Sequence, residues 1–186
     1  MSNPLLDTSS LPRFVEIRPE HVLPAVQKVI AEQRAALDQL LSGGKEPDID
    51  ALVAPVEHMG QELGLIRSPF SHLQAALGSS EWRVAYKQAL PLLTEYGTEL
   101  SQNADLQRAY AAVARNLPND ASEERRRAVE HALRVLHLAG VALEPAAKAR
   151  GKAIVGDLAP APAECEPEVL GAAAAWWGRL RDGARR

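Results

Sequence analysis

Five histidines, one cysteine and one serine–histidine pair are the residues whose types suit catalysis or metal binding: His21, His58, His72, His131, His137, Cys165 and Ser71-His72. A zinc-peptidase helix carries H-E-x-x-H, which sets two imidazoles at i and i+4 on one face with a glutamate beside them to activate water. No histidine pair here has that spacing. His131 and His137 are separated by about 240° around a helix and point apart. Glu57-His58 and Glu130-His131 are adjacent pairs with no second ligand. Each histidine is expected to serve the surface or helix packing, and no metal ligand is assigned.

The stretch SPFSHLQAAL, residues 68–77, sets Ser71 beside His72 and just after Pro69. Adjacent residues on a helix project about 100° apart. A serine activated by histidine needs its hydroxyl within reach of the ring, and a third group to orient it. No G-x-S-x-G turn occurs, nor any phosphate-cradling G-x-x-x-x-G-K-[ST] or G-x-G-x-x-G loop. Cys165 lies among Glu164, Glu166 and Pro167, surroundings that do not activate a thiol. No catalytic or cofactor-binding residue is assigned either. The stretch reads as scaffold, with Phe70, Leu73 and Leu77 in a core and Pro69 kinking or splitting the helix.

The elements carrying these residues follow from periodicity. The chain has 186 residues, 46% hydrophobic and 24% charged, with a net charge of −3. That balance fits one globular domain with a tail. It argues against nucleic acid as a partner, because phosphate binding needs clustered Lys and Arg in surplus. The basic run Arg125-Arg126-Arg127 follows Glu123-Glu124 and reads as a solvated helix face. A single cysteine fits a reducing compartment. MSNPLLDTSSLPRF has no basic and apolar signal pattern, and no stretch approaches the roughly 18 apolar residues of a membrane span. A cytoplasmic location without membrane contact is expected.

Residues 1–18, with Pro4 and Pro12, read as an extended arm. RPEHVLPAV opens a first helix with Pro24 placed in its first turn, and Gly43-Gly44 ends it. A second helix, capped by Asp48 or Asp50, buries a stripe from Leu52 through Met59, Ile66 and Phe70 to Leu77. Ser79 or Ser80, Asn103 and Ser122 open three more, and Gly140 ends the last. Strand patterns are missing and aromatics are only 4%. The expected fold is all-α, a bundle of about five helices over residues 19–150. Residues 151–186, with Pro160, Pro162, Pro167 and the pair Trp176-Trp177, are expected to form a loosely ordered tail.

The same residues carry a family resemblance. NPLLD, LPRFVEIRPEHVLPAVQKVI, SPFSHLQAAL, ALPLLTEYGTELSQNADLQRAY and RRAVEHALRVLHLAGVAL, in that order, resemble the N-terminal region of the bacterial oligopeptidase A branch of the thimet-oligopeptidase family of zinc metallopeptidases. The resemblance runs from about residue 3 to Lys148. It implies a mostly helical, cytoplasmic enzyme that cleaves short peptides in a deep channel, with this region as part of the channel wall. It also implies that zinc and its H-E-x-x-H helix belong to a catalytic domain lying downstream, so no family ligand maps onto this chain. Past Lys148 the composition turns to Ala, Pro, Gly and Arg, a departure of the kind a frameshift produces.

Two functional expectations result. The first is a truncated oligopeptidase-like chain, inactive alone, with short peptides or a missing catalytic domain as partners. The alternative is a stand-alone helical module that binds a peptide or a protein.

Overall fold

The computed structural model describes residues 3–43 and 48–162, together with Cys165, Ala172, Trp176 and Trp177. Among the described residues, six helices follow a short 3-10 turn at Pro4–Leu6: α1 Pro19–Leu41, α2 Ile49–Leu77, α3 Ser80–Ser101, α4 Ala104–Asn116, α5 Glu123–Leu138 and α6 Pro145–Leu158. Among the described residues there is no strand, so the all-α expectation holds, with one helix more than expected.

Helix starts are set locally. The side chains of Asp48, Ser79, Asn103 and Ser122 accept from the backbone N–H three residues on, at Ala51, Trp82, Leu106 and Arg125. Each satisfies one of the donors that a helix N-terminus leaves without an intrahelical partner. At α1 the roles reverse: the Arg18 N–H donates to Nδ1 of His21 at 3.1 Å. Helix α5 ends at Gly140, whose φ of 85° is left-handed. The Gly140 N–H bonds the His137 carbonyl and the Val141 N–H bonds the Leu136 carbonyl. This double closure brings the apolar side chains of Leu136 and Val141 into one cluster.

Several local expectations are corrected. Pro24 does not lie in the first turn; α1 begins one turn earlier, with Pro19 at its start and Pro24 inside. Helix α2 is not split at Pro69 and runs unbroken through both Pro55 and Pro69. A proline removes one backbone bond, but the turns around Pro69 are held by Ile66 and Phe70, both fully buried. The stripe of α2 stops short of Leu77, which is 60% exposed. The arm expected over residues 1–18 is anchored at two points within the described residues, with most of residues 7–16 exposed between them. Leu5 and Ile17 are buried in the core, and the Asn3 amide donates to the His21 carbonyl at 2.7 Å. The tail does not begin at residue 151, because α6 continues to Leu158. No proline lies between Pro145 and Pro160, so nothing breaks the backbone ladder there. The expectation for residues after 162 lies almost wholly outside the described residues; of the four described there, Trp176 and Trp177 are exposed.

The interior forms two apolar clusters. One joins the arm and the first half of α1 to the second half of α2 and to α3, with Val22, Val26, Ile66, Phe70 and Trp82 at its centre. The other joins the second half of α1 and the first half of α2 to α4 and α5, through Leu37, Leu52, Tyr110, Val113 and Val129. Full burial of such side chains contributes about 1.5–3 kcal/mol each. Helices α1 and α2 run through both clusters and tie them together.

Candidate functional site

Three places bear on function: the scattered titratable residues, a polar seam between the two clusters, and a groove between α3 and α6.

The structure keeps the chemistry-bearing side chains apart. His21 is committed to the start of α1. His72 meets Phe14 edge-on, with ring centroids 5.7 Å apart, and Ser71 next to it keeps a buried hydroxyl without a hydrogen-bond partner. The pair therefore does not form a nucleophile and base. His58, His131, His137 and Cys165 are exposed. Among the described residues, no three His, Cys, Asp or Glu side chains converge as metal ligands.

The polar seam was not foreseen from the sequence. Gln33 is 2% exposed and lies between Ile30 of one cluster and Leu37 of the other. Its Nε2 donates to the Met59 carbonyl at 2.7 Å and to Glu62 Oε2 at 3.0 Å. Beside it, Arg34 donates from Nε and Nη2 to Glu99 Oε2, at 3.0 and 2.7 Å, and its guanidinium lies 5.9 Å from the Tyr96 ring centre. Burial pushes the Tyr96 phenol above its ordinary range, against the opposing effect of Arg34. Tyr110, in the second cluster, is pushed up to about 12 by burial and by Glu57. Both phenols therefore act as neutral packing groups. The signal for Gln33 was present in the sequence: with Val29, Ile30 and Leu37 it continues the inner stripe of α1 at gaps of three and four residues.

The groove between α3 and α6 has a volume of about 340 Å³, at the small end of the range for ligand pockets. Leu90, Pro91, Gly156, Ala159 and Pro160 give it apolar walls, and Lys87 stands at its edge. Across it Lys152 Nζ donates to Glu95 Oε1 at 2.8 Å. That hydrogen bond holds the Glu95 carboxyl below its ordinary value and, in return, holds the Lys152 ammonium above its own. The Thr98 hydroxyl is spent on the Thr94 carbonyl at 2.9 Å. The groove offers apolar contact and charged groups at its rim, and its lining holds no nucleophile paired with a base.

The family described as "Neurolysin/Thimet oligopeptidase, N-terminal domain" matches residues 26–148. Oligopeptidase A of Salmonella typhimurium is 37% identical over 99% of this chain and 27% of its own length. Oligopeptidase A of Haemophilus influenzae is 36% identical over 95% of the chain and 26% of its own length. A probable cytosolic oligopeptidase A of Arabidopsis thaliana is 32% identical over 77% of the chain and 20% of its own. The chain thus spans about a quarter of the length of the bacterial relatives it matches, and the alignments with them continue past Lys148. The helical architecture and the match over residues 26–148 lead to one assignment: this chain belongs to the neurolysin/thimet oligopeptidase family, as its N-terminal domain.

Proposed function

We propose that this chain serves as the helical, channel-wall part of a zinc oligopeptidase that degrades short peptides, and that it does not hydrolyse peptides unaided. The observation that carries the reading is the match of residues 26–148 to the N-terminal domain of that family. The scattered histidines support the second clause: hydrolysis with zinc needs three protein ligands, an open metal position and a base held beside it. In this reading those groups belong to a further part of the enzyme. Exposed apolar side chains such as Leu138, Leu143 and Leu158 suit a body that packs against more polypeptide. The proposed compartment is the cytoplasm. The plant relative is named cytosolic, and among the described residues no helix is long and apolar enough to cross a membrane.

The test is a chimera in which this chain replaces the matching N-terminal part of oligopeptidase A from Escherichia coli, to which it is 35% identical. Chelator-sensitive hydrolysis of a fluorogenic short peptide is expected from the chimera and not from the chain alone. Turnover by the purified chain, or a folded chimera without activity, would overturn the reading.

A second reading, a module that binds peptides by itself, draws on the α3–α6 groove. It requires the isolated chain to bind short apolar peptides and Leu90→Asp to abolish that binding.

A further inference from the structure

Pro91 lies inside α3. It lines the groove between α3 and α6 together with Lys87, one helical turn before it. Proline has no N–H, so the Lys87 carbonyl lacks the ladder bond that position 91 would otherwise donate. A main-chain carbonyl is a strong acceptor, and leaving one without a donor costs free energy. The groove wall thus sets such an acceptor beside apolar surface from Leu90, the Pro91 ring, Ala159 and Pro160. The charges of the groove are also uneven. Among the described residues its lining carries Lys87, Lys152 and Glu95. Lys152 and Glu95 are paired with each other at 2.8 Å. Lys87 is exposed and, among the described residues, meets no carboxylate. Along a helix axis the Lys87 and Glu95 positions are about 12 Å apart, so the surplus positive charge belongs to the Lys87 end.

We propose that the Lys87 end of this groove binds the C-terminal residue of a short peptide whose last side chain is apolar. The main-chain N–H of that residue donates to the Lys87 carbonyl. Its carboxylate meets the Lys87 ammonium, and its side chain lies against Leu90, Pro91 and Ala159. The inference rests on the second reading above, in which this groove binds short apolar peptides, and names the end of the peptide that it takes. Charge and hydrogen-bond complementarity select this occupant. An internal peptide segment brings an N–H and a side chain but no carboxylate. A plain apolar acid brings a carboxylate but no N–H. A C-terminal residue brings all three, matching the cation, the acceptor and the apolar wall. The volume of about 340 Å³, small for a ligand pocket, suits the end of a peptide rather than a long segment.

The experiment is a chemical-shift titration of the full chain with millimolar N-acetylleucine and two analogues. N-acetylleucinamide lacks the carboxylate, and isocaproate lacks the N–H. N-acetylleucine should shift amides of α3 around Leu90 and of α6, and should bind about three- to tenfold more tightly than either analogue. Lys87→Met keeps the apolar stem and removes the charge. It should lower the affinity for N-acetylleucine to that of the amide and leave the amide's own affinity unchanged. Pro91→Ala supplies an N–H to the Lys87 carbonyl. It should lower the affinity for N-acetylleucine to that of isocaproate while circular dichroism shows the helices intact. Equal binding of N-acetylleucine and its amide would overturn the inference and leave the peptide-binding reading standing. Isocaproate binding as tightly as N-acetylleucine would overturn it too, by showing that no N–H is read. Binding of none of the three would overturn the inference and the peptide-binding reading together, with the oligopeptidase reading still judged by the chimera.

Discussion

Gln33 of α1 reaches across to α2 and donates its side-chain N–H to the main-chain carbonyl of Met59 at 2.7 Å, at the junction of the two apolar clusters. A second N–H contact runs to Glu62 at 3.0 Å. A buried amide costs free energy unless it is hydrogen-bonded, so the pairing fixes how α1 and α2 are set along each other. Gln33→Leu should lower stability by about 1–2 kcal/mol, because the apolar side chain forfeits both bonds and leaves Glu62 without its donor. Urea unfolding followed by circular dichroism checks this. A midpoint that is unchanged or raised would show that the seam contributes no stability.

Phe70 and His72 separate core from surface within one helix turn. Phe70 is fully buried, and its ring meets Tyr86 edge-on with centroids 6.2 Å apart. Phe70→Ala should cost about 3–5 kcal/mol, through lost burial and a residual cavity. His72→Ala removes a contact with the half-exposed ring of Phe14. It should cost less than about 1 kcal/mol. Comparable losses for the two would contradict the burial pattern.

Gly140→Ala tests the closure of α5. A Cβ at that position, with φ at 85°, would lie 2.7 Å from Cδ1 of Leu143. Leu143 is half-exposed and its tip can swing aside, so the backbone conformation dominates the cost. A loss of about 1–2 kcal/mol is expected. Thermal unfolding of the variant should show it, and a neutral result would mean that the turn adopts another conformation at no cost.

The Lys152–Glu95 bond tethers α6, and its strength depends on pH in a definite direction. Glu95 titrates below its ordinary 4.5 in the folded chain, so its contribution is full above 4.5 and is lost as pH falls through the lowered value. Lys152 titrates above its ordinary 10.5, so its contribution is full below 10.5 and is lost as pH rises through the raised value. Lys152→Met keeps most of the apolar stem and removes the charge. At neutral pH it should speed hydrogen exchange in α6 while leaving α1 to α3 unchanged. In the unaltered chain, acidification through the lowered Glu95 value should do the same to α6. Exchange in α6 that ignores both changes would show that the groove walls hold the helix without the pair.

What the sequence determined by itself was decided within a few residues of the chain. Asp48, Ser79, Asn103 and Ser122 open helices because each side chain reaches a donor three residues ahead. Gly140 closes one because it tolerates a left-handed backbone. The inner stripes of α1 and α2 follow from a 3.6-residue period, and the missing H-E-x-x-H spacing is legible in the same way. The tertiary structure decided what depends on partners far along the chain. Pro69 stays inside an unbroken α2 because Ile66 and Phe70 are held by the surrounding cluster, whereas Leu77, in the same stripe, has nothing over it. Gln33 is a core residue because Met59, 26 positions away, supplies the acceptor. The arm is anchored because the His21 carbonyl, 18 positions away, accepts from Asn3. Periodicity states which residues share a face; only packing states whether another element covers that face.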